Sequence, residues 1–181
     1  MNPIEITEVI LVDAKDQVVG KMEKLEAHRK GLLHRAFSVF VFNSNKELLL
    51  QKRAIGKYHS EGLWTNTCCS HPSPNESLVN AGKRRLQEEM GFSCELKSTF
   101  SFIYNVKLDN ELIEHELDHV LIGAYNENPV INSEEASDFS WENLETLKTK
   151  IRLHPSDYTS WFKIIINEHY DQLNKIVYES L

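Results

Sequence analysis

The chain has 181 residues, 41% of them hydrophobic and 26% charged. That balance suits one globular domain spanning residues 1–181, and it excludes fibrous and disordered classes. The net charge of −7 argues against a general nucleic-acid binder, so an anionic substrate would have to meet local basic side chains. No run approaches the roughly 18 apolar residues of a membrane span. Three cysteines, two adjacent at Cys68 and Cys69, make no disulfide framework. With no signal-like leader, they fit a reducing cytoplasmic location.

In chain order, IEITEVILV from Ile4 to Val12 predicts a strand, and a second short strand is expected at Val18-Val19. A helix is expected over Lys24 to Lys30, ended by Gly31. FSVFVF (37–42), the loop NSNK and ELLLQKRA carry a hairpin signal. After Pro74 a helix is expected, with Ser73 and Glu76 at capping-box spacing. Leu78, Val79, Ala81, Leu86 and Met90 form its apolar stripe, and Gly91 its stop. TFSFIYNVKL and LIEHELDHVLIGAY read as two long strands about a turn at Asp109-Asn110. From Asp157 to Ser180, Trp161, Ile164, Ile165, Tyr170, Leu173 and Ile176 recur at helical spacing, which predicts one closing amphipathic helix. The mixed order of elements favours an α+β fold, an α-β-α sandwich around a mixed central sheet, over a regular doubly wound sheet.

The chemistry concentrates in 65-TNTCCSHPSPNESLVNAGKRRLQEEMGF-92. Against the box G-x5-E-x7-R-E-U-x-E-E-x-G-U, with U apolar, it matches at Glu76, Arg84, Leu86, Glu88, Glu89, Gly91 and Phe92, and departs at Ser70 and Arg85. The pattern resembles the Nudix box, a loop-helix-loop whose carboxylates hold Mg²⁺ on a diphosphate. A plain surface helix would explain the charges by Arg84–Glu88 and Arg85–Glu89 pairs, but not the glycine, cap and flanks together. Arg85 replaces a carboxylate with a planar donor fork suited to phosphate. Lys24, Arg53 and Lys57 could complete a clamp that holds a diphosphate without attacking it.

Upstream, Cys69 and His71 would face one side of an extended segment and Cys68 the other. Downstream, Glu114 and Glu116 would share a strand face, with His115 opposite. Two such carboxylates are costly to bury without a cation between them. His28, His34 and His71 offer imidazoles for Zn²⁺ or Mn²⁺, although their spacing makes no local zinc motif.

AH(28), LH(34)RAFSVFVF, QKRAIGK, GLWTNTCCSHP, RRLQEEMGF, E-x-E at 114–116 and a tryptophan near the C-terminus together resemble type I isopentenyl diphosphate isomerase, over about Ile4 to Ile166. The resemblance implies a Nudix-fold enzyme that interconverts isopentenyl and dimethylallyl diphosphate by a 1,3-allylic proton shift. It implies a divalent metal, Mn²⁺, Zn²⁺ or Mg²⁺, on His28, His34, His71, Glu114 and Glu116, and a second ion, Mg²⁺, on Glu89 and the diphosphate. It further implies Lys24, Arg53, Lys57 and Arg85 as diphosphate contacts, Cys69 and Glu116 as the acid/base pair, and Tyr104 and Trp161 as aromatic residues around the isoprenyl group. The expected partner is a small isoprenyl diphosphate, with no nucleic acid or membrane, in a monomer or weak homodimer. The rivals are a Nudix hydrolase of a nucleoside diphosphate derivative, which Arg85 weakens, and a non-catalytic binding module, which would not need Cys69 and Glu116.

Overall fold

The computed structural model describes residues 8–57, 59–108 and 111–180. Its strands are β1 (Glu8–Val12), β2 (Val18–Glu23), β3 (His34–Phe42), β4 (Glu47–Arg53), β5 (Trp64–Thr65), β6 (Cys68–Ser70), β7 (Leu96–Lys107), β8 (Ile113–Ala124) and β9 (Ala136–Asn143). The helices are α1 (Lys24–Lys30), α2 (Leu78–Met90), α3 (Leu144–Leu153), α4 (Ser160–Glu168) and α5 (Tyr170–Ser180). Among the described residues, no helix is long and apolar enough to cross a membrane.

β3 is central. It runs parallel to β8 from His34↔Glu116 to Phe42↔Ala124, and antiparallel to β6 at Ser38↔Cys69. Its two faces are covered by different helices because successive side chains point opposite ways. Phe37, Val39 and Val41 pack with Ala81, Leu86 and Met90 of α2. Phe40 and Phe42 pack with Leu147, Phe162, Ile165 and Leu173 of the C-terminal helices. Phe37 and Phe40 are fully buried, each contributing roughly 1.5–3 kcal/mol by leaving water. The expected α-β-α sandwich with a mixed sheet is therefore observed.

Helix α1 and its left-handed stop at Gly31 (φ 61°) match expectation, as do β7 and β8. The expected first strand is seen from Glu8 onward. Its residues 4–7 and the Asp109-Asn110 turn lie outside the described residues.

The expected β3–β4 hairpin is present but short, and two other expectations are corrected. The β3–β4 hairpin pairs only at Phe42↔Leu48, after which the strands splay; β3 turns to β6 and β4 to β5 and β9. Side chains of the TNT segment bridge the gap: Thr67 Oγ1 donates to Leu49 O (2.7 Å) and accepts from Val41 N (2.9 Å), while Asn66 Nδ2 donates to Val39 O (3.1 Å). Ser73 and Glu76 do not cap α2. They close a turn before it, Ser73 N donating to Glu76 Oε2 (2.9 Å), and the cap is Ser77, whose hydroxyl accepts from Asn80 N (3.2 Å). The single C-terminal helix is two, broken at His169 (φ −117°). The break lets Ile166 on α4 and Leu173 and Val177 on α5 all enter one core. Strand β9 and helix α3 were not anticipated.

Candidate active site

The splay between β3 and β4 opens a cavity of about 130 Å³. Strand parity decides which side chains reach it. On β8, Glu114 and Glu116 share one face, while His115 turns away to Gly31 O (3.0 Å). On β6, Cys69 lies on the cavity wall and Cys68 is buried on the opposite side against Phe37, Val39 and Leu86. Helix α2 adds Arg85 and Glu89, the latter fixed by Gln51 Nε2, which donates to Glu89 Oε2 over 2.8 Å. Lys24 and His28 come from α1, Arg53 and Lys57 from the end of β4 and its loop, Tyr104 from β7 and Trp161 from α4. Every residue that the resemblance implies for the metal ions, the diphosphate, the acid/base pair or the isoprenyl group lines this cavity except His34, which is fully buried.

His28, His34, His71 and Glu116 each present a ligand atom, all within 4.8 Å of one another. Glu116 Oε1 lies 3.0 Å from His71 Nε2 and 3.4 Å from His34 Nε2. Lys24 O and Leu32 O hold the Nδ1 atoms of His28 and His34 at 2.7 and 2.8 Å, which orients both rings in the manner of supported metal ligands. Among the described residues, His34 Nε2 and His71 Nδ1 are buried without a hydrogen-bond partner. Burial pushes His71 down to about 3, against the raising effect of Glu116, and it also lowers His28. Burial opposes ionisation of Glu116, but the imidazoles outweigh it and hold the carboxyl well below its usual range. Three buried imidazoles around a carboxylate, two with orphaned nitrogens, fit a divalent cation by donor type and number. Glu114 sits apart from this compact set, its Oε1 3.6 Å from His59 Nε2. Burial and then Glu116 push its carboxyl well up.

The polar end of the cavity is cationic but internally paired. Arg85 bonds Glu89 (2.6 Å), Glu88 (2.8 Å) and Glu135 (3.3 Å). Burial would lower its pKa, and Glu89 with the other carboxylates reverses that, so it is always charged. Lys57 pairs with Glu135, and burial depresses Lys24. The expected Arg84–Glu88 pair is secondary at 3.3 Å; Arg84 is held bidentately by Glu76 at 2.8 Å. At the apolar end, Tyr104 donates to Glu116 Oε2 (2.6 Å). Burial raises both Tyr104 and the Cys69 thiol, with Arg53 opposing at Cys69.

Two wall residues escaped the sequence analysis. Glu135 lies in an unremarkable acidic pair before β9, and its only signal was a carboxylate of the right charge to balance Lys57 and Arg85. His59 carried no local motif; burial and then Arg53 hold it at about 3.

Comparison with known proteins follows the same line. The NUDIX domain family matches residues 32–162. Among solved structures, DR0079 from Deinococcus radiodurans superposes with a TM-score of 0.75 at 18% identity, covering 90% of this chain and 99% of that one. The MutT protein of Methanosarcina mazei gives 0.62 at 20%, covering 79% and 96%. These likenesses define the class, a NUDIX fold. Two curated relatives are much nearer in sequence, both called isopentenyl-diphosphate Delta-isomerase 2. The Photorhabdus laumondii protein is 55% identical over 88% of this chain and 90% of its own length, and the Aromatoleum aromaticum protein 54% over 85% and 82%. The chain belongs to the isopentenyl-diphosphate Delta-isomerase family of NUDIX-domain proteins.

Proposed function

We propose that the protein, acting as one domain, interconverts isopentenyl and dimethylallyl diphosphate. The observation that carries this is the union in one cavity of a cationic end, Lys24, Arg53, Lys57 and Arg85, with Cys69, Tyr104, Glu116 and Trp161. A diphosphate handle suits the first group. An alkene that gains a proton at one carbon and loses one from another suits the second.

Protonating the terminal alkene carbon leaves the charge on a tertiary carbon, and removing a proton from the methylene on the diphosphate side completes the shift. Cys69 and Glu116 are the acid and base, exchanging roles when the direction reverses. Tyr104 orients Glu116 through its 2.6 Å hydrogen bond, and the Trp161 face stabilises the cation. Burial of the wall, with Trp161 only 3% exposed, keeps out water that would trap the cation as an alcohol. His28, His34, His71 and Glu116 would hold a divalent metal with Glu114 beside them, and Glu89 a Mg²⁺ on the diphosphate. When bound, these ions neutralise carboxylate and phosphate charge. At the first site, imidazole ligands favour Mn²⁺ or Zn²⁺ and the carboxylates also admit Mg²⁺. A small-molecule substrate, a cytoplasmic location and a monomer or weak dimer, without nucleic acid or membrane, complete the proposal.

The test is incubation with isopentenyl diphosphate and Mg²⁺ in deuterated water, with the product identified by NMR. Dimethylallyl diphosphate carrying solvent deuterium is expected. No isomer and no label, with phosphate released from a nucleotide panel instead, would establish the hydrolase alternative.

A further inference from the structure

Trp161 is almost completely buried, yet its indole Nε1 has no hydrogen-bond partner among the described residues. The helix that carries it is anchored independently: Thr159 N donates to Trp64 O (3.0 Å), and Thr159 Oγ1 donates to Thr65 Oγ1 (3.0 Å). The backbone is therefore placed by β5, while the rotation of the ring must be set by what touches its faces and edges. Two polar side chains do so. Arg53 lies over the ring with its guanidinium carbon 5.4 Å from the centroid, and the His59 imidazole meets it T-shaped, 5.9 Å between centroids and 84° between planes. Such a T-shaped contact favours one ring pose over its alternatives.

His59 is itself held firmly. It is 8% exposed. Arg53 donates to the carbonyls of His59 (3.2 Å) and Ser60 (3.1 Å), and Ser60 closes the loop at φ 52°. His59 Nδ1 meets Ser60 Oγ at 3.2 Å, and Nε2 faces Glu114 at 3.6 Å. Of the two braces on Trp161, Arg53 is also a diphosphate contact in the proposed function, where a phosphate oxygen would compete for its N–H groups. His59 is not among the diphosphate contacts of that proposal.

We infer that His59 is a positioning residue that braces the Trp161 indole against the reacting end of the substrate. This rests on the isomerase function proposed above. Its consequence is control of a side reaction. A tertiary cation that is not covered by the indole meets water; the water oxygen bonds to the tertiary carbon and loses a proton, giving a tertiary alcohol diphosphate in place of the alkene.

The test uses the full chain labelled with 5-fluorotryptophan. The resonances of Trp64, Trp141 and Trp161 are assigned by single Trp→Phe changes, and His59→Ala and His59→Phe are compared with wild type. In His59→Ala the Trp161 line should broaden or split while the other two stay unchanged. Its kcat should fall about tenfold with KM within about twofold, and the alcohol fraction of the product should rise. His59→Phe keeps a ring against the indole, so it should restore a single Trp161 line and return the alcohol fraction toward wild type. An unchanged Trp161 line in His59→Ala overturns the inference. Equal disturbance in both variants also overturns it, because it would assign the effect to the contact with Glu114. A wild-type protein inert toward isopentenyl diphosphate refutes the isomerase function instead, and the fluorine spectra still decide whether His59 sets the ring.

Discussion

Tyr104 and Glu116 stand directly opposite each other on β7 and β8, and the Tyr104 hydroxyl donates to Glu116 Oε2 across 2.6 Å. The other oxygen of that carboxylate faces His34 and His71, so the hydroxyl fixes the rotation of a group with two separate demands on it. Tyr104→Phe deletes only this donor and the 3.4 Å contact to Glu114. Steady-state assays should show kcat lower by about 10²-fold with little change in KM. An unaltered kcat would mean that the hydroxyl is structural.

The adjacent thiols separate chemistry from packing. Cys69→Ser nearly preserves shape but raises the side-chain pKa far above that of a thiol, so turnover should fall roughly 10³-fold while the far-UV spectrum and metal content persist. Cys68 is fully buried against the α2 side of the sheet, and Cys68→Ser should cost on the order of 1 kcal/mol in a urea melt with kcat retained. Inactive Cys68→Ser beside normal Cys69→Ser would reverse the assignment.

Metal removal reads the histidine cluster directly. Adding Mn²⁺ or Zn²⁺ to chelator-stripped protein should raise the melting temperature in a concentration-dependent way, because a ligand that binds only the folded state stabilises it. His71→Ala should abolish that rise. The same thermal response in His71→Ala would place the metal elsewhere.

Arg85 holds the position where the Nudix box carries a carboxylate. Arg85→Glu would set a fourth acid beside Glu88, Glu89 and Glu135, now its ion-pair partners. Substrate affinity measured by calorimetry should weaken by at least about tenfold, with no gain of phosphate release. Appreciable hydrolysis would show that one residue separates the two chemistries.

Gly91 ends α2 at φ 73°, and a Cβ there would lie 2.2 Å from Val130 O. Gly91→Ala should therefore destabilise the fold by more than about 2 kcal/mol in denaturant titration. Wild-type stability would show that the α2 terminus and the Val130 loop give way together.

The sequence by itself determined the elements whose signals are local. The stop of α1 at Gly31 and the apolar stripe of α2 follow from a left-handed glycine and from helical period. The opposite facing of Cys68 and Cys69, and of His115 against Glu114 and Glu116, follows from a two-residue period. Most of the side chains that line the cavity were legible as well, through motifs read as a resemblance. Tertiary structure alone decided where the cavity opens, because the β3–β4 splay depends on competition from β6, β8 and β9, strands far away in the chain. It decided that Glu76 would bind Arg84 rather than cap a helix, since that outcome depends on how the preceding turn folds back. It also joined Glu135 to Lys57 and Arg85, and His59 to Trp161 and Glu114. Such pairings join residues tens of positions apart, on elements whose approach is set by packing both faces of one sheet, and no local period records them.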